Sequence, residues 1–168
     1  MPVFGMEVIM HLTFDKLDKQ LIDLLQEDSS ISNKDLADKV GLSPSACLSR
    51  IKRLKEIGVI KKYAAIIDEK MLGYEVIAFT FITLSPHNRD ITNAFLSKIK
   101  DTPQILECYN ISGSWDYLIK IVVNDLADCR DFLIDTLLSF PGVNKIETSM
   151  VLSTDKQSFC LPFKSDDI

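Results

Sequence analysis

ISNKDLADKVGLSPSACLSRIKRLKEIGVI, residues 31–60, reads as two short helices around a glycine turn, the second rich in basic residues. Ser32 followed three residues later by Asp35 has the form of a capping box, in which each side chain satisfies a free backbone N–H at a helix start. A helix therefore begins near Asn33. Its apolar residues Leu36, Ala37 and Val40 share one face, and Gly41 stands where a left-handed residue is needed to end it. Ser43 and Pro44 restart the chain, because a serine N-cap accepts from free N–H groups and a proline at the first helical position has none to lose. The next helix runs from Pro44 to about Ile57.

At about 100° per residue, this second helix puts Cys47, Ile51, Leu54 and Gly58 on one side. Ser45, Ser49, Lys52, Arg53 and Glu56 fall on the other, flanked by Ala46 and Arg50. An outward face of small residues and arginines suits a major groove, since small side chains allow close approach and Arg bonds a guanine edge or phosphate in bidentate fashion. Alone, such a helix would equally be a solvated surface. The short helix and turn before it make the unit a helix-turn-helix, with duplex DNA as the expected partner. The candidate DNA-binding residues are Ser32, Ser43, Ser45, Ala46, Ser49, Arg50, Arg53 and Lys61. Most of the base contact is expected from Ser45, Ala46, Ser49, Arg50 and Arg53.

The chain has 168 residues, 46% hydrophobic and 26% charged, enough for one medium or two small cores. Its formal net charge of -5 does not argue against DNA, because the location of charge decides. Between residues 43 and 62, Arg50, Lys52, Arg53, Lys55, Lys61 and Lys62 stand against Glu56 alone, whereas acids outnumber bases beyond residue 64. Cys47, Cys108, Cys129 and Cys160 lie far apart, with no Cys-x-x-Cys spacing, so reduced thiols and no metal are expected. Residues 1–12, MPVFGMEVIMHL, lack a basic n-region and a cleavage pattern and read as an N-terminal extension, with Met6 and Met10 as alternative starts. No stretch reaches the roughly 18 to 20 apolar residues of a membrane span. A cytoplasmic protein without cofactor is the expectation.

Residues 14–27 carry Leu17, Leu21, Leu24 and Leu25 at helical spacing, with Asp15 as N-cap or first-turn acid, and form the first helix. VIKKYAAIID, residues 59–68, alternates enough to read as a strand or short hairpin, the wing of a winged helix. Residues 68–73 suggest a small connecting helix ended by Gly73. From residue 75 the grammar changes. EVIAFTFITL (75–84) is β-branched and aromatic, residues 90–99 form an amphipathic helix, 105–112 and 117–123 are strands joined by a GSWD turn, 126–140 are helical, and a last strand spans about 143–153. DTPQILECY (101–109) and SFPGVNKIE (139–147) echo each other weakly. Two βαβ units give an α+β, ferredoxin-like βαββαβ sheet with both helices on one side. The expected division is an extension over 1–12, a winged helix-turn-helix over 13–63, a linker over 64–74 and the ferredoxin-like domain over 75–168. The helix-free sheet face, apolar in EVIAFTFITL, should pair with a second copy. The alternative is a monomer whose tail, residues 155–168, covers it.

LDKQLIDLLQED (17–28), GLSPSACLSRIKRLKEIGVI (41–60) and SGSWDYLIK (112–120), with FPGVN (140–144) downstream, resemble in this order the Lrp/AsnC family, the feast/famine regulators. The resemblance covers residues 17 to about 159. It implies a transcriptional regulator with an N-terminal winged helix-turn-helix, a linking strand and a C-terminal βαββαβ (RAM/AsnC-type) domain that dimerises through its sheets. Dimers of such proteins assemble into octamers or related discs, with amino-acid effectors bound between neighbouring dimers.

The effector pocket implied by the resemblance lies at the turn Gly113, Ser114, Trp115, Asp116 and the adjoining Tyr117. Backbone N–H groups of a glycine turn can take an α-carboxylate, and Asp116 an α-ammonium. The plainer reading is a hairpin loop in which Asp116 hydrogen-bonds its own backbone. Ser149, Met150 and Val151 match positions that influence response to leucine in a relative. Ser149 replaces a tyrosine there, so leucine specificity does not carry over. Two other functions fit the architecture: a nucleoid-type DNA wrapper without effector, and an enzyme resembling siroheme decarboxylases. The second is disfavoured because His11 and His87 are the only histidines and no paired acid–base constellation accompanies them.

Overall fold

The computed structural model of the protein describes residues 13–163. Within them, every α-helix starts at a side chain that accepts a backbone N–H three residues on. Asp15 precedes α1 (Lys16–Glu27), Ser32 precedes α2 (Asn33–Val40), Ser43 precedes α3 (Pro44–Glu56), Asn88 precedes α4 (Arg89–Lys100) and Asp125 precedes α5 (Leu126–Asp131). Each cap satisfies a donor that the helix itself leaves free and contributes about 1 kcal/mol. The extension expected over residues 1–12 lies outside the described residues.

The chain forms two units, the first comprising residues 13–66 with 156–163 and the second residues 67–155. In the first, Leu21, Leu36, Ala37, Val40, Cys47 and Ile51 form a closed core, with Leu17, Leu24 and Leu25 of α1 packed against it. Gly41, at φ 70°, makes the left-handed turn between α2 and α3. The C-terminal segment returns to α1. The Gln26 amide donates to the Leu161 carbonyl at 3.2 Å and accepts from the Leu161 N–H at 2.7 Å. Phe163 lies 6.4 Å from Phe14. These tail residues therefore join the helical unit, and the alternative in which they cover the sheet is not what forms.

Residues 59–68 differ from expectation, because they form neither a strand nor a hairpin: a bend at 59–60 leads into a stretch without regular structure. VIKKYAAIID holds no Gly, Pro or Asn to close a hairpin, and the helical unit offers no sheet edge for a lone strand. Tyr63, Ile66 and Ile67 are left exposed. A single 3-10 turn, Lys70–Leu72, ended by Gly73, stands where the connecting helix is expected.

The second unit follows the expected order: β1 (Val76–Leu84), α4, β2 (Ile105–Asn110), β3 (Tyr117–Val123), α5 and β4 (Val143–Met150). Its sheet is antiparallel in the order β2-β3-β1-β4, a ferredoxin-like topology. Alternation along the strands sends Ala78, Ile82, Leu84, Ile119 and Ile121 into a core with Phe95, Phe132 and Leu137. The same alternation places Ile77, Phe79, Phe81, Leu118 and Val122 on the opposite face, which carries no helix. The expected helix over 126–140 changes pitch midway, through a π turn at Phe132–Thr136 and a 3-10 turn at Leu137–Ser139. Phe132 and Leu137 are five residues apart, which an α-helix would splay to different faces. The wider π turn keeps both on the sheet.

Candidate nucleic-acid interface and effector turn

On α3 the buried set is Cys47, Ile51 and Leu54, so Ser45, Ser49, Lys52 and Arg53 are exposed as their spacing requires. Ala46 and Arg50 are half-buried at the flank of this face. Ser32 and Ser43 stay at the surface while capping: Ser32 accepts from Asp35 N–H at 3.1 Å, and Ser43 from Ala46 N–H at 3.3 Å. Lys61 is exposed on the irregular segment that follows α3. The DNA candidates thus lie on one helical unit, with the helix of small and basic residues outermost.

The two arginines do not hang free in solvent. Arg50 Nη1 donates to Asp15 Oδ2 at 2.7 Å and to Asp18 Oδ1 at 2.9 Å, and Arg53 Nη2 donates to Asp18 Oδ2. Asp18 is 1% exposed, although α1 is otherwise amphipathic in the ordinary way. The bonds raise the already high pKa of Arg50, Asp15 contributing most. The Asp18 backbone N–H, then the Arg50 guanidinium, hold the Asp15 carboxyl below its usual range. An open groove of about 640 Å³ lies here, between Thr13 and Phe14 on one side and Ala46 and Ser49 on the other, with the ion pairs on its floor. Asp18 was not among the residues expected to matter. Its signal was present, however, as an acid three residues before Leu21 on the apolar stripe of α1.

The GSWD turn is more tightly tied to the sheet than a solvated loop would be. Asp116 N–H donates to the Ile82 carbonyl at 2.9 Å, and its Oδ2 accepts from Leu84 N–H at 2.7 Å. Its carbonyl accepts from Ile111 N–H and from the Asn110 side chain. The plainer expectation, that Asp116 bonds its own backbone within a hairpin loop, is not what forms: its carboxylate accepts from Leu84 N–H on β1 instead. His87 Nδ1 lies 3.9 Å from the other carboxylate oxygen. Trp115 packs against Phe81 with ring centroids 5.9 Å apart and planes tilted by 42°, and the Lys145 ammonium lies 4.7 Å from the indole centroid. Gly113 and Ser114 are exposed at the tip. Tyr117 instead turns into the core against Phe95, 5.0 Å away, and burial pushes its phenol pKa up. His87 and Lys145 were not read as site residues. They reach the turn from the β1–α4 loop and from β4, a convergence no local pattern encodes.

Ser149, Met150 and Val151 are not near this turn. Antiparallel pairing sets Ser149 opposite Phe79, Met150 opposite Ala78, and bonds Val151 N–H to the Ile77 carbonyl. Asp116 bonds Ile82 and Leu84, at the other end of β1. Five residues of strand from Ile77 to Ile82 are about 17 Å. Within one chain, the two halves of the candidate effector set are therefore separate. Thr83 Oγ1, on the helix-free face beside the turn, is buried without a hydrogen-bond partner among the described residues. Among those residues no group of three or more His, Cys, Asp or Glu side chains is placed to hold a metal ion, and no helix is long and apolar enough to cross a membrane.

Residues 14–61 match the family model of a winged helix-turn-helix DNA-binding domain, and residues 77–160 that of the Lrp/AsnC ligand binding domain. The transcriptional regulator AzlB of Bacillus subtilis is 48% identical over 153 residues, which cover 91% of this chain and 98% of that protein. The leucine-responsive regulatory protein of Escherichia coli is 38% identical over 151 residues, 90% and 92% of the two chains. A transcriptional regulator of Neisseria meningitidis, solved as an L-Met complex, superposes with a TM-score of 0.86 at 33% identity and covers 89% of this chain and 97% of its own.

Proposed function

This chain belongs to the Lrp/AsnC family, and from that premise we propose that it reads DNA with the outer face of α3 and senses a free amino acid at a site shared between copies. It is a DNA-binding transcriptional regulator with an effector-binding domain. The observation that carries the DNA assignment is the exposed face of Ser45, Ser49 and Arg53, flanked by Ala46 and Arg50, on the second helix of a helix-turn-helix. Ser32, Ser43 and Lys61 contact phosphate beside it, and α3 of each protomer enters a major groove about one helical turn from its partner's.

The helix-free sheet face supports a homodimer. Phe79, Phe81 and Leu118 form an apolar surface that water disfavours and a second copy covers isologously. Tyr63, Ile66 and Ile67 add exposed apolar surface on the irregular segment after α3. Dimers then assemble further, to an octamer or similar ring. Such assembly offers a physical account of the split effector set: the Gly113–Asp116 turn of one copy meets residues 149–151 of another. Asp116 takes the α-ammonium, and the turn N–H groups take the α-carboxylate. The protein acts in the cytoplasm, as a regulator and not as an enzyme.

Selection from a random duplex library by the purified protein tests the DNA assignment, and repetition with each of the twenty amino acids tests the effector. Enrichment of a two-part motif with half-sites about one turn apart is expected. Tight, salt-sensitive binding without a motif would instead favour the architectural wrapper. A thermal-shift screen finds the amino acid, since a ligand of the native state raises its melting temperature.

A further inference from the structure

Arg50 and Arg53 are one turn apart on α3, and both of their guanidinium groups end on the two oxygens of a single carboxylate. Arg50 reaches Asp18 Oδ1, Arg53 reaches Oδ2, and Asp15 takes a second bond from Arg50. Asp18 is buried, whereas the Arg53 side chain is 46% exposed and that of Arg50 29%. A buried carboxylate must be paired, so the arginines are bound to it wherever the helical unit is folded. Each guanidinium has five N–H donors in a planar fork and uses only some of them here, which leaves others for a second acceptor. Two acids against two bases also bring the local charge near zero.

We propose that Asp18, with Asp15 beside it, is a positioning residue for DNA reading: it fixes the two α3 guanidinium groups in register and cancels their general attraction for phosphate. The proposal rests on the assignment of α3 to DNA and adds how that helix discriminates. A free arginine loses side-chain freedom when it settles on a base, and it binds any nearby phosphate. An arginine already clamped loses less freedom and offers one geometry. The carboxylates repel phosphate, which weakens binding to every sequence equally. Asp18 thus lowers non-specific affinity while holding the geometry that specific affinity needs.

Those two effects have opposite signs on removal, and simple damage to the fold does not produce them together. The probes are a duplex enriched from a random library by the wild-type protein and poly(dI-dC) as non-specific DNA. Asp18→Asn should reduce the ratio of specific to non-specific affinity roughly tenfold while steepening the salt dependence by about one phosphate contact. Asp15→Asn, at a half-exposed residue whose amide still caps α1, should steepen the salt dependence and lower the ratio by a smaller factor. A variant damaged only in folding would lose both affinities in parallel with no steeper salt dependence, and that result for Asp18→Asn overturns the proposal. If Asp18→Asn does not fold, Asp15→Asn decides: an unchanged ratio and salt dependence overturn it. Failure of the wild-type protein to enrich any motif is a different outcome, which removes sequence-specific reading by α3 and this inference with it.

Discussion

Asp18 of α1 and Arg53 of α3 are bonded to each other within the helical unit, the carboxylate 1% exposed and the guanidinium side chain 46% exposed. The pair joins the core of the unit to its outer surface, so a change on the outer face of α3 is felt inside.

Arg53→Ala therefore has two consequences. DNA affinity at fixed salt falls by about 1–3 kcal/mol, and the half-orphaned Asp18 lowers the stability of the helical unit by a similar amount. Mobility shift and thermal melting measure the two separately. Unchanged affinity would take Arg53 off the recognition surface.

Asp15 gives an acid signature. Its carboxyl is held below the usual aspartate range by the Asp18 N–H and by Arg50, so the folded state binds that proton less readily than the unfolded chain. The stability it supplies is present above the unfolded value, about 3.9, and is lost as pH falls through the lower folded value. Asp15→Asn should melt below wild type at pH 6, with the gap closing as melts are taken toward pH 3.

Asp116 carries both structure and the proposed effector contact. Asp116→Ala leaves Leu84 N–H without its acceptor, and stability falls by about 1–3 kcal/mol. Asp116→Asn keeps an oxygen for that N–H and loses only the charge. Its fold and DNA affinity should persist while the melting shift produced by the effector amino acid disappears. A full shift in Asp116→Asn would remove the carboxylate from the site.

Gly142 is closed to side chains on two counts. Its φ is 76°, and a Cβ would stand 2.2 Å from Ile91 Cγ2. Gly142→Ala should cost about 2–4 kcal/mol in denaturant unfolding, from left-handed strain plus the clash. Adding Ile91→Ala relieves only the clash. Gly41→Ala, at φ 70° with open space around it, shows the strain alone.

Thiol labelling follows burial. Cys160 is exposed and should react first with a disulfide reagent in the native protein. Cys47 and Cys129 are buried, with thiol pKa values pushed up by desolvation, and should react only on unfolding. Equal rates at all four would contradict the packing.

Much of the fold was legible because its signals are local. Ser32, Ser43 and Pro44 place helix starts and Gly41 a helix stop through bonds spanning three or four residues, and EVIAFTFITL declares its strand by alternation and branching. The exposed set of α3 followed from spacing alone. The failures came where a distant partner decides: residues 59–68 have strand-like side chains but no partner strand, and the π turn after α5 is set by the sheet beneath it.

What the sequence by itself determined is the inventory of elements, their faces and the family grammar, since each depends on neighbours a few residues away. Tertiary structure decided the rest. It turned Arg50 and Arg53 onto Asp18, residues more than thirty positions earlier. It brought His87 and Lys145 to the GSWD turn, and the register of β1 against β4 put residues 149–151 at the far end of the sheet. Such pairings depend on which amphipathic faces meet and in what register, and neither composition nor periodicity along one chain contains that information.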